Sequence, residues 1–308
     1  MISIGNITVG GTGKTPAAVA IAEEAQKRGM KPIILTRGYK GTAKGPCFVT
    51  KGESPLLSFV EAGDEPVLMA EKLNGVPIVK CAGRFEAGTF ALRELNIREA
   101  DMRSYIFILD DGFQHRSLYR DKDIVLIDSG NPFGNGMLLP FGRLREPAKS
   151  LLRADIIVIA KTGEKAGPGE DSLKETIRGY NAASKVFLSA HTPVSCELIA
   201  GGERPVDWLS RNSVFGFCAL GSPESFRKTL LDSGAVLSGF RAYRDHYRFN
   251  NEDIRRIQTE AAQSGAGWIV TTEKDIIRAR KLDLPDNIAV LKIAFAVEDG
   301  FYDNVFNL

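Results

Sequence analysis

Thr8-Val9-Gly10-Gly11-Thr12-Gly13-Lys14-Thr15 stands between a short apolar stretch, Ile2 to Ile7, and a helix-forming stretch, Pro16 to Arg28. Strand, glycine loop and helix in that order build a cradle for a polyphosphate. The glycines let backbone N–H groups converge on phosphate oxygens, and the helix N-terminus adds positive partial charge. In such a cradle Lys14 reaches the outer phosphates and the Thr15 hydroxyl takes a place on magnesium. Thr8 stands where the strict pattern has its first glycine. Related ATPases of the partition type carry a second lysine early in the loop, where this chain has Val9.

Outward from the loop, short apolar runs alternate with helical stretches. Gly29 stops the first helix, and Pro32 to Thr36 reads as the next strand. Further strands are expected at Val76–Val79, Ile106–Leu109, Ile124–Ile127 and Ile156–Ala160, with helices at Asp64–Leu73 and Arg84–Leu95 between them. Near-continuous Val/Ile/Leu strands separated by helices imply an α/β fold, a P-loop NTPase-like parallel sheet covered on both faces. A helix near Asp171–Tyr180 and an extended segment at Val186–Ile199 follow. Gly201-Gly202-Glu203-Arg204-Pro205 is the clearest linker signal. Beyond it a second alternation begins, with strands at Val214–Leu220, Ala235–Tyr243 and Trp268–Thr272. Helices are expected after Ser222 and over Asn251–Ser264. The expected organisation is a P-loop domain over 1–190, a linker over 191–205 and a smaller α/β lobe over 206–308.

The 308 residues suffice for two modest domains, and 44% hydrophobic with 25% charged residues is ordinary for a globular protein. A net charge of +2 gives no argument for nucleic acid as a partner. Cys47, Cys81, Cys196 and Cys218 form no C-x-x-C pair, so neither a disulfide framework nor a zinc site is expected. Three histidines exclude a His-rich metal site. No apolar run approaches the roughly 18 residues that cross a bilayer, and the opening residues carry no signal-peptide pattern.

Phe107 to Gly112 ends a strand in two carboxylates, Asp110 and Asp111. A P-loop enzyme needs an acid there to hold magnesium directly or through water. Ile124 to Asp128 has the same form, though a strand-ending Asp also favours a turn. Asp64 before Glu65-Pro66 reads as an N-cap or as a catalyst. His246, between Asp245 and Tyr247, is equally a surface residue or a functional one. Lys161-Thr162-Gly163 occupies the place of a guanine-reading motif and lacks its Asp, so ATP is the expected nucleotide. Lys27 to Lys44 holds six basic residues and no acid, and Met137 to Pro147 interleaves apolar groups with arginine. Both suit an anionic, partly apolar substrate.

Taken together, the motifs are specific. Ser3 to Pro16 closely resembles the loop of the tetraacyldisaccharide 4′-kinases of lipid A biosynthesis. So do Leu35 to Tyr39, Gly63 to Pro66, Asp110 to His115, Gly142 to Pro147, Asp245-His246 with Phe249, and Thr271 to Asp275. The matches fall in family order from residue 2 to about 275.

The resemblance implies transfer of the ATP γ-phosphate to the 4′-hydroxyl of tetraacyldisaccharide 1-phosphate, giving lipid IVA. It implies magnesium, a lipid substrate, and work at the cytoplasmic face of the inner membrane. Asp64 then looks like the general base, paired with His246, while Lys14 stabilises the migrating phosphoryl group. Thr15 with Asp110 or Asp111 holds the metal, and Arg145 and Glu146 are further candidates for nucleotide or substrate contact. Family members usually carry a hydrophobic helix before the loop, so the expectation is that translation starts upstream of Met1. A P-loop switch or assembly ATPase, which phosphorylates no substrate, is the competing reading.

Overall fold

The computed structural model describes residues 1–160 and 168–307. Two compact units divide the chain: Met1–His191 with Phe295–Leu308, and Thr192–Ala294.

In the first unit β1 (Ile2–Gly5) leads through the glycine loop into α1 (Lys14–Lys27). Next come β2 (Lys31–Thr36), β3 (Cys47–Thr50), α2 (Phe59–Ala62), α3 (Asp64–Lys72), β4 (Ile78–Lys80) and α4 (Arg84–Glu94). They are followed by β5 (Tyr105–Asp110), β6 (Lys122–Asp128), β7 (Ile156–Ala160), α5 (Pro168–Tyr180) and β8 (Lys185–Leu198). The sheet runs β8-β7-β6-β1-β5-β2-β4-β3, parallel except for the edge strand β3. Its inner strands are buried on both faces, as Ile2, Ile4, Ile108, Leu109, Val125 and Leu126 illustrate. That burial is why they read as unbroken apolar runs.

β1 lies between β5 and β6, which both come later in the chain. The chain leaves β1 by α1, passes β5 and lays down β2 beyond it. Such a reversal of strand order opens a crevice at the carboxyl ends of the strands. The glycine loop and the end of β5 both arrive there.

The second unit holds the end of β8, β9 (Glu203–Pro205), β10 (Ser213–Cys218), α6 (Pro223–Asp232), β11 (Val236–Ala242), α7 (Asn251–Gln263), β12 (Trp268–Thr272), α8 (Glu273–Ala279) and most of β13 (Ile288–Val297). Its parallel sheet runs β11-β10-β12-β13. One core gathers around Phe217, Phe249 and Ile276, another around Leu209, Phe226 and Leu230. The Thr271 to Asp275 motif is structural here. Thr271 Oγ1 donates to Phe217 O at 3.0 Å. Thr272 Oγ1 donates to Asp275 Oδ2 at 2.6 Å and accepts from the Asp275 amide, capping α8. Arg278 pairs with the buried Asp275 carboxylate. α9 (Phe301–Phe306) returns to the first unit, where Arg28 meets Asp303 at 2.7 Å.

Residues 191–205, expected as a linker, contain the end of β8 and all of β9, paired antiparallel at Ser195 to Glu197. Backbone pairing has taken up the glycine-flanked stretch. Phe295–Leu308 counts with the first unit, whereas the sequence reading assigned it to the second lobe.

Candidate active site

Gly13 caps α1 in the left-handed region at φ 88°, and Gly10 sits at φ 121°. The left-handed φ demands glycine there, and a Cβ on Gly13 would also come 2.5 Å from His191 Nε2 and oblige that ring to shift. Asn6 Nδ2 donates to Thr12 Oγ1 at 3.0 Å, and both residues are buried, which ties the loop across its waist. The exception at Thr8 also has a reason. Thr8 forms a bridge with Leu144, flanked by hydrogen bonds from Val9 N to Arg143 O at 2.8 Å and from Arg145 N to Ile7 O at 2.7 Å. The first half of the loop is thus an edge paired with the segment at 143–145, and a buried threonine suits that role.

The two acids after β5 have different surroundings. Arg145 binds Asp111 with both terminal nitrogens, at 2.6 and 2.7 Å, and Lys14 Nζ lies 3.5 Å from it. Burial opposes the charge of Asp111, but the Arg145 hydrogen bonds and the Lys14 charge outweigh it and hold the carboxyl at about 2. Asp110 is buried and accepts one hydrogen bond, from Thr36 Oγ1 at 2.8 Å. Desolvation, then the charges of Glu65 and Asp111, push its carboxyl up to about 6. Arg84, held by Cys81 O and Ala82 O, donates to the Asp110 backbone carbonyl at 3.1 Å rather than to its side chain. Asp110 is therefore a carboxylate short of positive charge, and Asp111 one already supplied with it.

Arg145 also touches Asn6 Oδ1 and Gln114 Oε1, each at 3.0 Å. Gln114 Nε2 reaches Glu146 Oε1 at 3.1 Å, and Glu146 takes both contacts of Arg153, at 3.0 and 2.8 Å. Lys14, Asp111, Arg145, Gln114 and Glu146 thus form one chain of contacts beside the loop.

Asp64 is the first residue of α3 and is buried. The cap itself is Gly63, at φ 96°, so the N-cap reading of Asp64 does not hold. Asp64 Oδ1 accepts from the Glu65 amide at 3.0 Å. A Cβ on Gly63 would lie 2.7 Å from Tyr39 O, which shows how closely the turn before Asp64 packs on the loop after β2. Thr42 N and Ala43 N donate to Val60 O and Glu61 O, and the buried Lys80 holds Ala43 O at 2.9 Å. Asp64 is therefore fixed by packing of its turn on the loop after β2 and on Lys80 at the carboxyl end of β4.

His246 belongs to the second unit, in the left-handed region at φ 60°, with Nε2 3.8 Å from Asp245 Oδ2. Asp128 Oδ1 accepts from Gly130 N at 3.0 Å, the turn role open to it from the start. The basic run Lys27 to Lys44 is not one surface. β2 separates its two ends by roughly 20 Å at about 3.3 Å per residue, leaving Arg37, Lys40 and Lys44 at the end that carries the glycine loop. Lys161, Thr162 and Gly163 lie outside the described residues.

Met137 to Leu144 is a tight loop closed by a parallel bridge between Leu138 and Leu144, with Leu139 N to Leu144 O at 2.9 Å and Leu144 N to Met137 O at 3.1 Å. Its tip leaves Met137, Leu138, Leu139 and Phe141 exposed, the last at 82%. Sequence reasoning passed over Thr36, Glu65, Arg84 and Arg143. Thr36 and Glu65 lay inside quoted motifs, while Arg84 gave no signal beyond opening a helix.

The family model described as Tetraacyldisaccharide-1-P 4'-kinase matches residues 1–307. The tetraacyldisaccharide 4'-kinase of Syntrophus aciditrophicus is 40% identical over 296 residues, covering 92% of this chain and 77% of that protein. The protein of the same name from Halothermothrix orenii is 37% identical, covering 92% and 75%. A crystal structure of LpxK from Aquifex aeolicus in complex with ATP is 31% identical, with a TM-score of 0.73 over 99% of this chain and 87% of that one.

Proposed function

The chain belongs to the tetraacyldisaccharide-1-P 4′-kinase family and is a kinase of lipid A biosynthesis that uses ATP, and we propose that its residues divide the work as follows. The glycine loop, Thr8 to Thr15, holds the polyphosphate through its backbone N–H groups. Lys14 neutralises the migrating phosphoryl group of ATP on its way to the 4′-hydroxyl. Asp111, clamped by Arg145, keeps the Lys14 ammonium aimed at the loop. In such reactions positioning and charge neutralisation supply most of the rate.

The donor set fits magnesium. This ion prefers one or two protein oxygens plus substrate phosphates to a closed protein cage, and no group of three metal-binding side chains occurs among the described residues. Asp110 is the better of the two acids, because Asp111 is already clamped by Arg145 and Lys14, while among the described residues no cation hydrogen-bonds to the buried Asp110 side chain. Thr15 and Asp110 would hold the ion, which would offset charge on the phosphates. Asp64 accepts the proton of the 4′-hydroxyl, and His246 is the histidine that the family resemblance pairs with such a base.

The lipid substrate brings the protein to a membrane surface, and the exposed loop tip at Met137 to Phe141 is the contact we assign to it. Arg37, Lys40 and Lys44 suit the anionic headgroups at the same end of the sheet. No described helix is long and apolar enough to cross a membrane. The inner membrane, at its cytoplasmic face, is the site this reading proposes.

One observation carries the assignment: an ordered glycine loop whose lysine faces an arginine-clamped acid at the end of the neighbouring strand. The switch-ATPase alternative is not favoured, since the family match takes in both units. The test is incubation with ATP and tetraacyldisaccharide 1-phosphate, followed by mass analysis of the lipid. A gain of one phosphoryl group is expected; unchanged lipid with ATP consumed would restore the switch reading.

A further inference from the structure

The loop has no basic residue at Val9, the place from which a second loop lysine reaches the outermost phosphate in two-lysine ATPases. The fold brings a cation to that place from another part of the chain. Arg143, near the end of the apolar loop 137–144, donates from Nη2 to Val9 O at 3.0 Å. A Cβ added to Gly10 would lie 2.5 Å from the same nitrogen. The backbone is anchored too, by Val9 N to Arg143 O at 2.8 Å. The guanidinium is thus tied at root and tip, against the third residue of the loop.

Its charge is less neutralised by partners than that of its neighbours. Arg145 is spent on Asp111 with both terminal nitrogens, and Lys14 lies 3.5 Å from that acid. Arg143 is exposed and pairs with no carboxylate among the described residues. A guanidinium has five N–H donors, and the Val9 carbonyl takes one. An uncompensated, oriented cation at the mouth of a polyphosphate cradle is suited to stabilise charge that develops during phosphoryl transfer.

We propose that Arg143 contacts the outermost phosphate of ATP and supplies, from within the chain, the charge that a second loop lysine gives elsewhere. This rests on the kinase reading above. It makes Arg143 a determinant of ATP over ADP, because ADP lacks the group it touches.

The experiment is calorimetric titration of the full chain with a non-hydrolysable ATP analogue and with ADP, for wild type, Arg143→Gln, Arg143→Ala and Arg143→Lys. Gln keeps an N–H donor for Val9 O and removes only the charge. Tenfold or greater loss of affinity for the ATP analogue is expected in the Gln and Ala variants, with ADP changed by less than twofold and Lys recovering part of the loss. Equal weakening of both nucleotides in Arg143→Gln would make the residue a mere loop support, and unchanged affinities would remove it from the site. Either result overturns the proposal. A wild type that binds neither nucleotide would overturn the kinase reading, and this with it.

Discussion

Arg145 grips Asp111 with both ends of its guanidinium, at 2.6 and 2.7 Å, and so decides which of two adjacent acids stays charged without a metal. Asp111 is held at about 2 and Asp110 is lifted to about 6. The side chains of the pair are about a quarter exposed, so solvent screens part of their attraction. Breaking the pair by Arg145→Ala should cost about 1–2 kcal/mol in stability, below the range for fully buried pairs. Arg145→Lys should recover little of this, because an ammonium cannot bind both oxygens in a planar fork. Urea unfolding of the three proteins checks both statements; full recovery by lysine would show that charge alone matters.

Asp110 gives a pH signature. Its carboxyl is raised from 3.8 to about 6. Between those values it is protonated when folded and ionised when unfolded. The unfolded chain then binds fewer protons, so stability falls as pH rises through the window. The difference corresponds to about 3 kcal/mol near neutral pH, which Asp110→Asn should remove. Without metal or nucleotide, the Asn variant should be more stable than wild type at neutral pH and equal to it at about pH 4. Asp111 has the opposite sign, its contribution fading only as pH falls towards 2. Denaturant midpoints across pH decide this, and a variant less stable than wild type at neutral pH would contradict it.

Asp64→Ala should lower phosphoryl transfer by about 10²–10⁴, the range for loss of a general base. ATP affinity and the unfolding midpoint should change little, since the turn before it is set by Gly63 and Tyr39 backbone contacts. Single-turnover transfer and nucleotide titration separate these effects. Intact transfer in the variant would return Asp64 to a purely structural role.

The prediction for the apolar loop concerns the membrane. Leu138→Ser with Phe141→Ser should reduce co-sedimentation with anionic phospholipid vesicles at least tenfold. Turnover of a short-chain, detergent-free substrate should stay near wild type, because the loop's backbone anchors at 143–145 are kept. Unchanged vesicle binding would place the lipid contact on another surface.

How much of this was legible beforehand depends on the range of the interaction. β1, the glycine loop and α1 are local in sequence, and their pattern is enough to expect a parallel sheet with a phosphate site. The order β2-β5-β1-β6 is not local, although it puts Asp110 beside the loop. Thr8 looked like an irregularity because its reason, the bridge to Leu144, lies far along the chain. The roles of Asp110 and Asp111 could not be told apart, since Arg145 reaches one acid and Thr36 the other across the sheet. The basic run was read as one surface although its strand was legible, because its halves adjoin in sequence while β2 carries them to opposite ends. The glycines at 201 and 202 suggested a linker, yet Leu198 N bonds to Gly202 O at 2.9 Å in a hairpin turn.

The most direct measurement follows ATP labelled in its γ-phosphate through incubation with tetraacyldisaccharide 1-phosphate and extraction into organic solvent. Label should enter the lipid phase with wild type, and should be missing with Lys14→Ala. Label recovered only as inorganic phosphate, at equal rates with and without the lipid, would contradict the account.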